Sequence, residues 1–150
     1  MSHNEEDSTG ILSGLVIGID HIGLCVKEID NSGAKWQKLL GLPVVDREDV
    51  IPQKTAASFI RMPDHDAAVE FVCPMPGNAG LDKYLDKRGD SMHHIAFAVT
   101  DIQEALCRLK EAEIRLIDQE ARAGAGGHLV AFLHPKAMDG TLVELVQRQH

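Results

Sequence analysis

The sequence lacks an excess of basic residues. It has 15 Lys and Arg against 23 Asp and Glu, which gives a formal net charge of −8 at pH 7. A surface that binds nucleic acid or an anionic membrane carries a basic stripe, so neither partner is expected. An anionic small ligand is not excluded, because one bound cation and a few local basic side chains can override the net charge.

Cysteines are few and apolar runs are short. Cys25, Cys73 and Cys107 include no pair at Cys-x-x-Cys spacing, which argues against a disulfide framework or a zinc knuckle and favours a reducing compartment. No apolar run approaches the roughly 18 residues of a membrane span. The opening MSHNEEDSTG lacks the basic start and apolar core of a signal peptide. We therefore expect a cytoplasmic protein.

Length and composition fit one globular domain. The 150 residues are 44% apolar and 25% charged, an ordinary mixture for a protein with a hydrophobic core. We predict a flexible N-terminal segment over residues 1–16 and a single domain over residues 17–150.

The chain contains an internal repeat. The segment IDHIGLCVKEID from Ile19 resembles HHIAFAVTDIQE from His93 when His21 is aligned with His94, 73 residues later. Three further pairs are identical in this alignment: Ile22/Ile95, Val26/Val99 and Ile29/Ile102. The repeat predicts two modules of the same structure, over about residues 17–75 and 92–148.

Each histidine segment is followed by a helical pattern and later by a short strand with one acid. The first helix is predicted over residues 30–40, before Gly41, and the second after Thr100, with Gln103 as the capping-box partner. A third short helix, over about residues 81–87, would link the modules. The strands AAVEFV and GTLVELV carry Glu70 and Glu144, 49 and 50 residues after their histidines. This order predicts an α+β fold with a βαβββ module used twice.

Strand alternation gives each histidine a face of small residues. Side chains two apart share one face of a strand. These faces are His21, Gly23, Cys25 and, in the copy, His94, Ala96, Ala98. If this face of the sheet only packed against other elements, small residues would not be expected beside the histidine in both copies. We therefore expect a cavity beside the histidines.

The two acids complete a candidate metal site. Glu70 and Glu144 lie in apolar strands, where a carboxylate is costly to bury unless it is paired or bound to a metal. Taken singly, such residues are usually structural or solvated, but the repeated pattern favours one divalent ion held by His21, Glu70, His94 and Glu144. The mixed nitrogen and oxygen set suits zinc, cobalt, nickel, manganese or iron better than calcium. His93 competes with His94, but the repeat aligns His93 with Asp20.

Four segments carry a resemblance to a known family. They are IDHIGLCV, HHIAFAVTDIQEAL, IRLIDQEARAGAGG and AFLHPKAMDGTLVELV. They resemble the vicinal oxygen chelate superfamily, which includes glyoxalase I, extradiol dioxygenases and fosfomycin-resistance proteins, and within it they are most similar to the methylmalonyl-CoA epimerases. The resemblance covers about residues 19–146 and implies a cup-shaped, mostly antiparallel sheet, one divalent metal ion, an acyl-CoA substrate and a homodimer.

The resemblance also implies a reaction. Methylmalonyl-CoA would be interconverted between its 2R and 2S forms by proton transfer at C2 through a metal-stabilised enolate, with Glu144 as both ligand and base. Gly23 and Ala96 would leave room for the planar intermediate. Lys136, Gly126 and Gly127 would contact the substrate, although a surface lysine and a flexible glycine loop are the ordinary alternatives.

Two departures keep other functions open. Alignment on Pro52 places Ser58 where some similar epimerases carry a second glutamate base, so either the second base lies elsewhere or the chemistry or substrate differs. If the missing carboxylate limits the enzyme, Ser58→Glu should raise the rate. The turn before Glu144 is His-Pro-Lys-Ala-Met-Asp-Gly, whereas glyoxalases more often have Asp-Pro-Asp-Gly. Three alternatives remain. A glyoxalase I-like lyase acting on a thiol hemiacetal would use the same metal ligands. A dioxygenase is disfavoured by Glu70, and the third alternative is a non-catalytic binding protein.

Overall fold

A computed structural model describes residues 10–149 of the chain, and these residues form eight strands and three α-helices. The strands are β1 (Val16–Cys25), β2 (Val44–Val50), β3 (Thr55–Arg61), β4 (Ala68–Pro74), β5 (Ser91–Val99), β6 (Arg122–Ala123), β7 (Leu129–Leu133) and β8 (Val143–Gln147). The helices are α1 (Ile29–Leu40), α2 (Ala79–Arg88) and α3 (Ile102–Glu111).

The strands form one mixed sheet in the order β2-β3-β4-β1-β5-β8-β7-β6. Strands β1 and β5 pair antiparallel at the centre, while β1–β4 and β5–β8 are the two parallel pairs. The four other pairs are antiparallel. The predicted fold is therefore confirmed: two βαβββ modules build a mostly antiparallel sheet, and α2 links them.

The sheet curls until its two ends meet. The Gln53 side-chain amide, just after β2, donates to the carbonyl of Ala123 in β6 at 2.6 Å. The backbone N–H of Gly126, in the turn after β6, donates to the Glu48 carboxylate in β2 at 2.7 Å. These bonds join the first module to the second across the open side and turn the curled sheet into a cup.

Helices α1 and α3 cover the face of the sheet that lies away from the cup. Beneath α1, Phe71 and Ile60 are fully buried, and the Trp36 ring stands edge-on to Phe71 with centroids 5.5 Å apart. Ile102 of α3 packs with Leu145 of β8 in a second buried cluster. Each module thus buries its own helix, and the opposite face of the sheet is left for a cavity.

The helix ends agree with the predictions except at one cap. Helix α1 ends at Leu40, before Gly41 as predicted, and Gly41 adopts the left-handed conformation with φ 71°. Helix α3 is capped by Asp101, whose carboxylate accepts from the N–H of Glu104 at 3.0 Å. The predicted cap at Thr100 is wrong by one residue, because Asp is as good a cap as Thr and here lies directly before the first helical turn.

The predicted domain limits stay a prediction, and residues 1–9 of the predicted flexible segment lie outside the described residues. Leu15 is buried, and its carbonyl accepts from the N–H of Thr100, so packing begins before residue 17. Within residues 10–149, no helix is long and apolar enough to cross a membrane. The expected cytoplasmic location stays a prediction.

Candidate metal centre

The four predicted ligands converge at the floor of the cup. The Nε2 atoms of His21 and His94 lie 3.0 Å apart. Glu70 Oε1 and Glu144 Oε1 each lie 3.3 Å from His21 Nε2, and Glu70 Oε1 lies 3.5 Å from His94 Nε2. All four residues are buried, with exposed fractions between 4% and 7%.

Strand register explains the convergence. Gly23, two residues after His21, pairs with Glu70 of β4. Ala96, two residues after His94, pairs with Glu144 of β8. Each parallel pair thus puts one carboxylate beside its own module's histidine, and the central β1–β5 pair brings the two modules together. The duplication therefore produces a two-fold site at the centre of the sheet.

The spacing of the donor atoms fits one divalent cation. Two ligand atoms that each lie about 2.1 Å from an ion are about 3.0 Å apart at a right angle and about 3.4 Å apart at the tetrahedral angle. Three of the separations above, 3.0, 3.3 and 3.3 Å, fall in this range, and the fourth, 3.5 Å between His94 Nε2 and Glu70 Oε1, lies just above it. The donor atoms of His21, His94 and Glu144 all lie within 4.8 Å of one another, and Glu70 joins them through its contacts with both imidazoles.

The electrostatics of the cluster also favour a cation. Burial alone would lower the pKa of His21, but hydrogen bonds to Asp20, Glu144 and Glu70 raise it to about 12. Burial would raise the pKa of Glu70, but hydrogen bonds from the two histidines lower it. Without a metal, the buried carboxylates therefore require a proton on His21. A divalent ion supplies that positive charge instead and leaves both imidazoles neutral, as ligation requires.

A β-bulge precedes each ligand histidine. The β1–β5 register shifts between Ile19 and His21, and again at Gly23/Leu24, where it skips His93. Asp20 and His93 are thus the extra residues of the two bulges, and they occupy equivalent positions in the repeat. A bulge can turn two consecutive side chains to the same face. Both residues consequently line the cup beside the histidine that follows.

Asp20 orients His21. Its Oδ2 lies 2.7 Å from His21 Nδ1, and its Oδ1 accepts from Arg148 Nε at 2.7 Å. Burial would raise the pKa of Asp20, but these hydrogen bonds lower it, so the group is a carboxylate at neutral pH. A carboxylate on Nδ1 fixes that proton and directs the Nε2 lone pair at the metal position. The sequence analysis missed this role, although Asp20 adjoins His21.

His93 does the same for His94. The two Nδ1 atoms lie 2.9 Å apart, and the Tyr84 ring stands edge-on to His93 with centroids 4.8 Å apart. Burial and the neighbouring His94 lower the pKa of His93 to about 4, so this imidazole is neutral at neutral pH. It can accept the Nδ1 proton of His94 and leave His94 Nε2 for the metal. The structure thus places His94, the histidine that the repeat alignment favours, in the cluster, with His93 beside it.

The space beside the small residues Gly23 and Ala96 is filled by other side chains of the protein. The expectation that these residues leave room for a planar substrate intermediate is therefore wrong. A Cβ atom added to Gly23 would lie 2.0 Å from Cε1 of His94, so the imidazole occupies the space that a side chain would fill. Ala96 is fully buried against Val130 and Val146. Cys25 is buried beside Leu85 of α2 rather than exposed to the cup.

A cavity of about 1080 Å³ lies above the cluster. Gly126 lines it, whereas Gly127 and Lys136 are not among the lining residues. Lys136 is exposed on the turn Pro135–Ala137, where its N–H donates to His134 Nδ1. The structure therefore brings only one of the three predicted substrate contacts to the cavity wall. It also places Arg61, Arg122 and Arg148 there, which the sequence analysis did not single out.

Ser58 does not face the cup. It is 1% exposed and pairs with Phe71, which packs beneath α1. Ala57 and Phe59, on either side of it, line the cavity. Pro52 lies in a 3-10 turn (Ile51–Gln53) that ends in the left-handed Lys54, so counting along the sequence from Pro52 does not tell which residues of β3 face the cup. A carboxylate introduced at position 58 would be buried in the core, so the expectation that Ser58→Glu raises the rate is withdrawn.

Comparison with known families matches most of the chain. Residues 20–132 match the model of the Glyoxalase/Bleomycin resistance protein/Dioxygenase superfamily. Ethylmalonyl-CoA/methylmalonyl-CoA epimerase of Cereibacter sphaeroides is 33% identical over 131 residues, which cover 86% of this chain and 96% of that protein.

Solved structures agree with the sequence relatives. The crystal structure of methylmalonyl-CoA epimerase from Mycobacterium tuberculosis superposes with a TM-score of 0.87 at 28% identity and covers 96% of each chain. A methylmalonyl-CoA epimerase in complex with methylmalonyl-CoA and NH4+ has a TM-score of 0.83 at 27% identity, with 88% of this chain and 94% of that chain covered.

Proposed function

The chain belongs to the Glyoxalase/Bleomycin resistance protein/Dioxygenase superfamily, and from this membership we propose that it is an epimerase of methylmalonyl-CoA or a closely related acyl-CoA. The observation that carries the proposal is the buried cluster of two histidines and two glutamates at the floor of a large cavity. It is supported by relatives named as epimerases and by a relative of the same fold that holds methylmalonyl-CoA.

The cup suits an anionic thioester. A cavity of about 1080 Å³ is at the upper end of what a small-molecule site needs. The guanidinium groups of Arg61, Arg122 and Arg148 line it. Each is paired with an acid of this chain, Asp46, Asp118 and Asp20 respectively, and its other N–H groups can donate to the substrate carboxylate or phosphates. Gly126 is the remaining predicted substrate contact on the wall, while Lys136 would reach only parts of a ligand that project beyond the cup.

His21, Glu70, His94 and Glu144 would hold one divalent ion. When bound, such an ion stabilises negative charge on the thioester oxygen as a Lewis acid. Asp20 and His93 keep the two imidazoles oriented through their Nδ1 atoms. Glu144, as the ligand on β8, takes the C2 proton from one face of the substrate, and the electron pair of the broken C–H bond moves to the thioester oxygen.

Glu144→Gln separates ligation from proton transfer. The amide oxygen can still coordinate the ion, but an amide cannot take a proton, so epimerisation should fall by about 10²–10⁴-fold while metal binding is largely kept. The rate would be measured at saturating metal, with bound metal quantified separately. A variant that binds metal and epimerises at the wild-type rate would leave Glu144 as a ligand only.

Solvent exchange tests the function itself. The metal-loaded protein is incubated with one epimer of methylmalonyl-CoA in deuterated water, and C2 deuterium and the epimer ratio are followed. We expect deuterium at C2 together with formation of the other epimer. A protein that converts the thiol hemiacetal of methylglyoxal but leaves C2 unlabelled would be a glyoxalase I-like lyase, and one that binds the acyl-CoA without any exchange would be a binding protein.

The assembly is proposed to be a homodimer. Ile17 and Ile19 of β1 are 68% and 48% exposed, which leaves an apolar strip at the centre of the sheet available to a second copy. Light scattering after size exclusion would report twice the chain mass if this proposal is correct.

A further inference from the structure

Epimerisation by proton transfer requires a proton source on each face of the reacting carbon. Removing the C2 proton from one face and returning it to the same face regenerates the starting epimer. Inversion therefore needs a second acid on the opposite side of the planar intermediate. This inference rests on the proposed function, in which Glu144 serves one face.

Of the acids in residues 10–149, three outside the candidate metal cluster line the cup: Asp20, Asp46 and Glu48. Asp20 is held by His21 and Arg148. Asp46 accepts from Arg61 Nη2 at 2.9 Å and from Arg61 Nε at 3.0 Å. Among residues 10–149, no cation pairs with Glu48, and the hydrogen bond at its carboxylate comes from the backbone N–H of Gly126. The Glu48 carboxylate is thus held in place through one oxygen, and no cationic side chain of residues 10–149 pairs with it.

A β-bulge aims Glu48 into the cup. In the β2–β3 pairing, Val45 lies opposite Phe59 and Glu48 opposite Ala57, so β2 uses one more residue than β3 over this stretch. Asp46 takes up the extra residue in the left-handed conformation, with φ 57°. Without the bulge, Arg47 would lie opposite Ala57 and Glu48 would point away from the cup. Bulges of this kind often redirect a side chain at an active site.

The position of Glu48 connects it to the metal cluster along one wall. Ala57, its cross-strand neighbour, has a side chain too small to shield it from the cavity. Phe59 lies on the same face, about 7 Å further along β3, and its ring stands edge-on to His21 with centroids 6.3 Å apart. Glu48 therefore belongs to the first module's wall of the cup, whereas Glu144 belongs to the second module.

We propose that Glu48 is the second proton-transfer group of the enzyme. In one direction Glu144 removes the C2 proton, so that the C–H bond breaks and an O–H bond forms on Glu144. Protonated Glu48 then donates its proton to the opposite face of C2, where the enolate electron pair forms the new C–H bond. The substrate loses one proton and gains one, and the two carboxyl groups return to their starting states by exchange with water. The reverse reaction uses the same groups in exchanged roles.

The competing explanation is that Glu48 is only a structural latch, that is, a hydrogen-bond acceptor that holds β2 against the turn containing Gly126. Glu48→Gln separates the two roles, because the amide oxygen can still accept from the Gly126 N–H but cannot deliver a proton. Asp49→Asn is the matched control, since it removes a neighbouring exposed carboxylate from the same strand that is not among the cavity-lining residues. Metal content and thermal unfolding are measured for all three proteins.

The diagnostic measurement is deuterium exchange of each pure epimer in the metal-loaded protein. With Glu48→Gln, interconversion should fall by about 10²–10⁴-fold. One epimer, whose C2 proton faces Glu144, should still gain deuterium without inversion at near the wild-type rate, and the other should not. Asp49→Asn should behave as wild type. This asymmetry is what a latch would not produce.

Other outcomes contradict the proposal in distinct ways. Equal loss of exchange for both epimers in Glu48→Gln would make Glu48 a latch, and unchanged interconversion would make it dispensable. If the wild-type protein exchanges neither epimer, the proposed function itself fails, and the role of Glu48 with it.

Discussion

At the scale of single residues, the site depends on groups that hold the ligands as much as on the ligands themselves. Asp20 and His93 each contact the Nδ1 atom of a cluster histidine, at 2.7 and 2.9 Å. Periodicity in the sequence led to the four residues that the structure brings together, because the duplication repeats their spacing; that they bind a metal stays a prediction. It could not locate Asp20 as a partner, because consecutive residues of a regular strand point to opposite faces.

Asp20→Asn should weaken metal binding. The substituted amide carries no charge to stabilise the Nδ1 proton of His21, and its NH2 group would oppose either His21 or Arg148. Loss of such an outer partner typically lowers metal affinity by about 10–100-fold. Calorimetric titration with Co²⁺ measures the change. An affinity equal to wild type would show that Asp20 does not orient His21.

Gly23→Ala should displace His94. The added Cβ would lie 2.0 Å from Cε1 of the imidazole, a separation at which one of them must move. We expect Co²⁺ affinity to fall by roughly 10–100-fold, as for loss of an orienting contact. Gly10→Ala is the control, since its Cβ would meet only Ser13 Oγ at 3.7 Å. Unchanged affinity in Gly23→Ala would mean that the His94 ring does not lie over β1.

At the scale of secondary structure elements, regular patterns were predictable and bulges were not. Helix α1 ends before Gly41 as expected, because a glycine in the left-handed conformation is a common helix terminator. The bulges at Asp20, His93 and Asp46 depend on which strand pairs with which, so they cannot be read from one strand alone. Ser58 was misplaced for the same reason, since the turn before β3 changes which residues face the cup.

The cap of helix α3 provides a test at this scale. Asp101→Ala removes the carboxylate that accepts from the N–H of Glu104, so it should destabilise the protein by about 1 kcal/mol. Thr100→Ala is the matched control and should change stability much less. Urea unfolding gives both values. A larger loss for Thr100→Ala would restore the cap predicted from the sequence.

At the scale of the whole molecule, the duplication explains why the site lies where it does. The antiparallel β1–β5 pair joins the modules, and the candidate metal ligands come from both sides of that seam. The fold class and this convergence were predictable, because a repeat with equal spacing builds two similar modules. The closure of the cup was not predictable from the sequence. Its hydrogen bonds join Gln53 to Ala123 and Glu48 to Gly126, which are 70 and 78 positions apart and share no sequence pattern.

In the proposed function, one ion in the His21, Glu70, His94 and Glu144 cluster makes the protein an epimerase. This claim is tested by the rate of methylmalonyl-CoA epimerisation by chelator-stripped protein as Co²⁺ is added. We predict a negligible rate without metal, a linear rise, and a plateau at one ion per chain. A stripped protein of verified low metal content that keeps its full rate, or a protein that binds one Co²⁺ per chain without gaining activity, would contradict the claim.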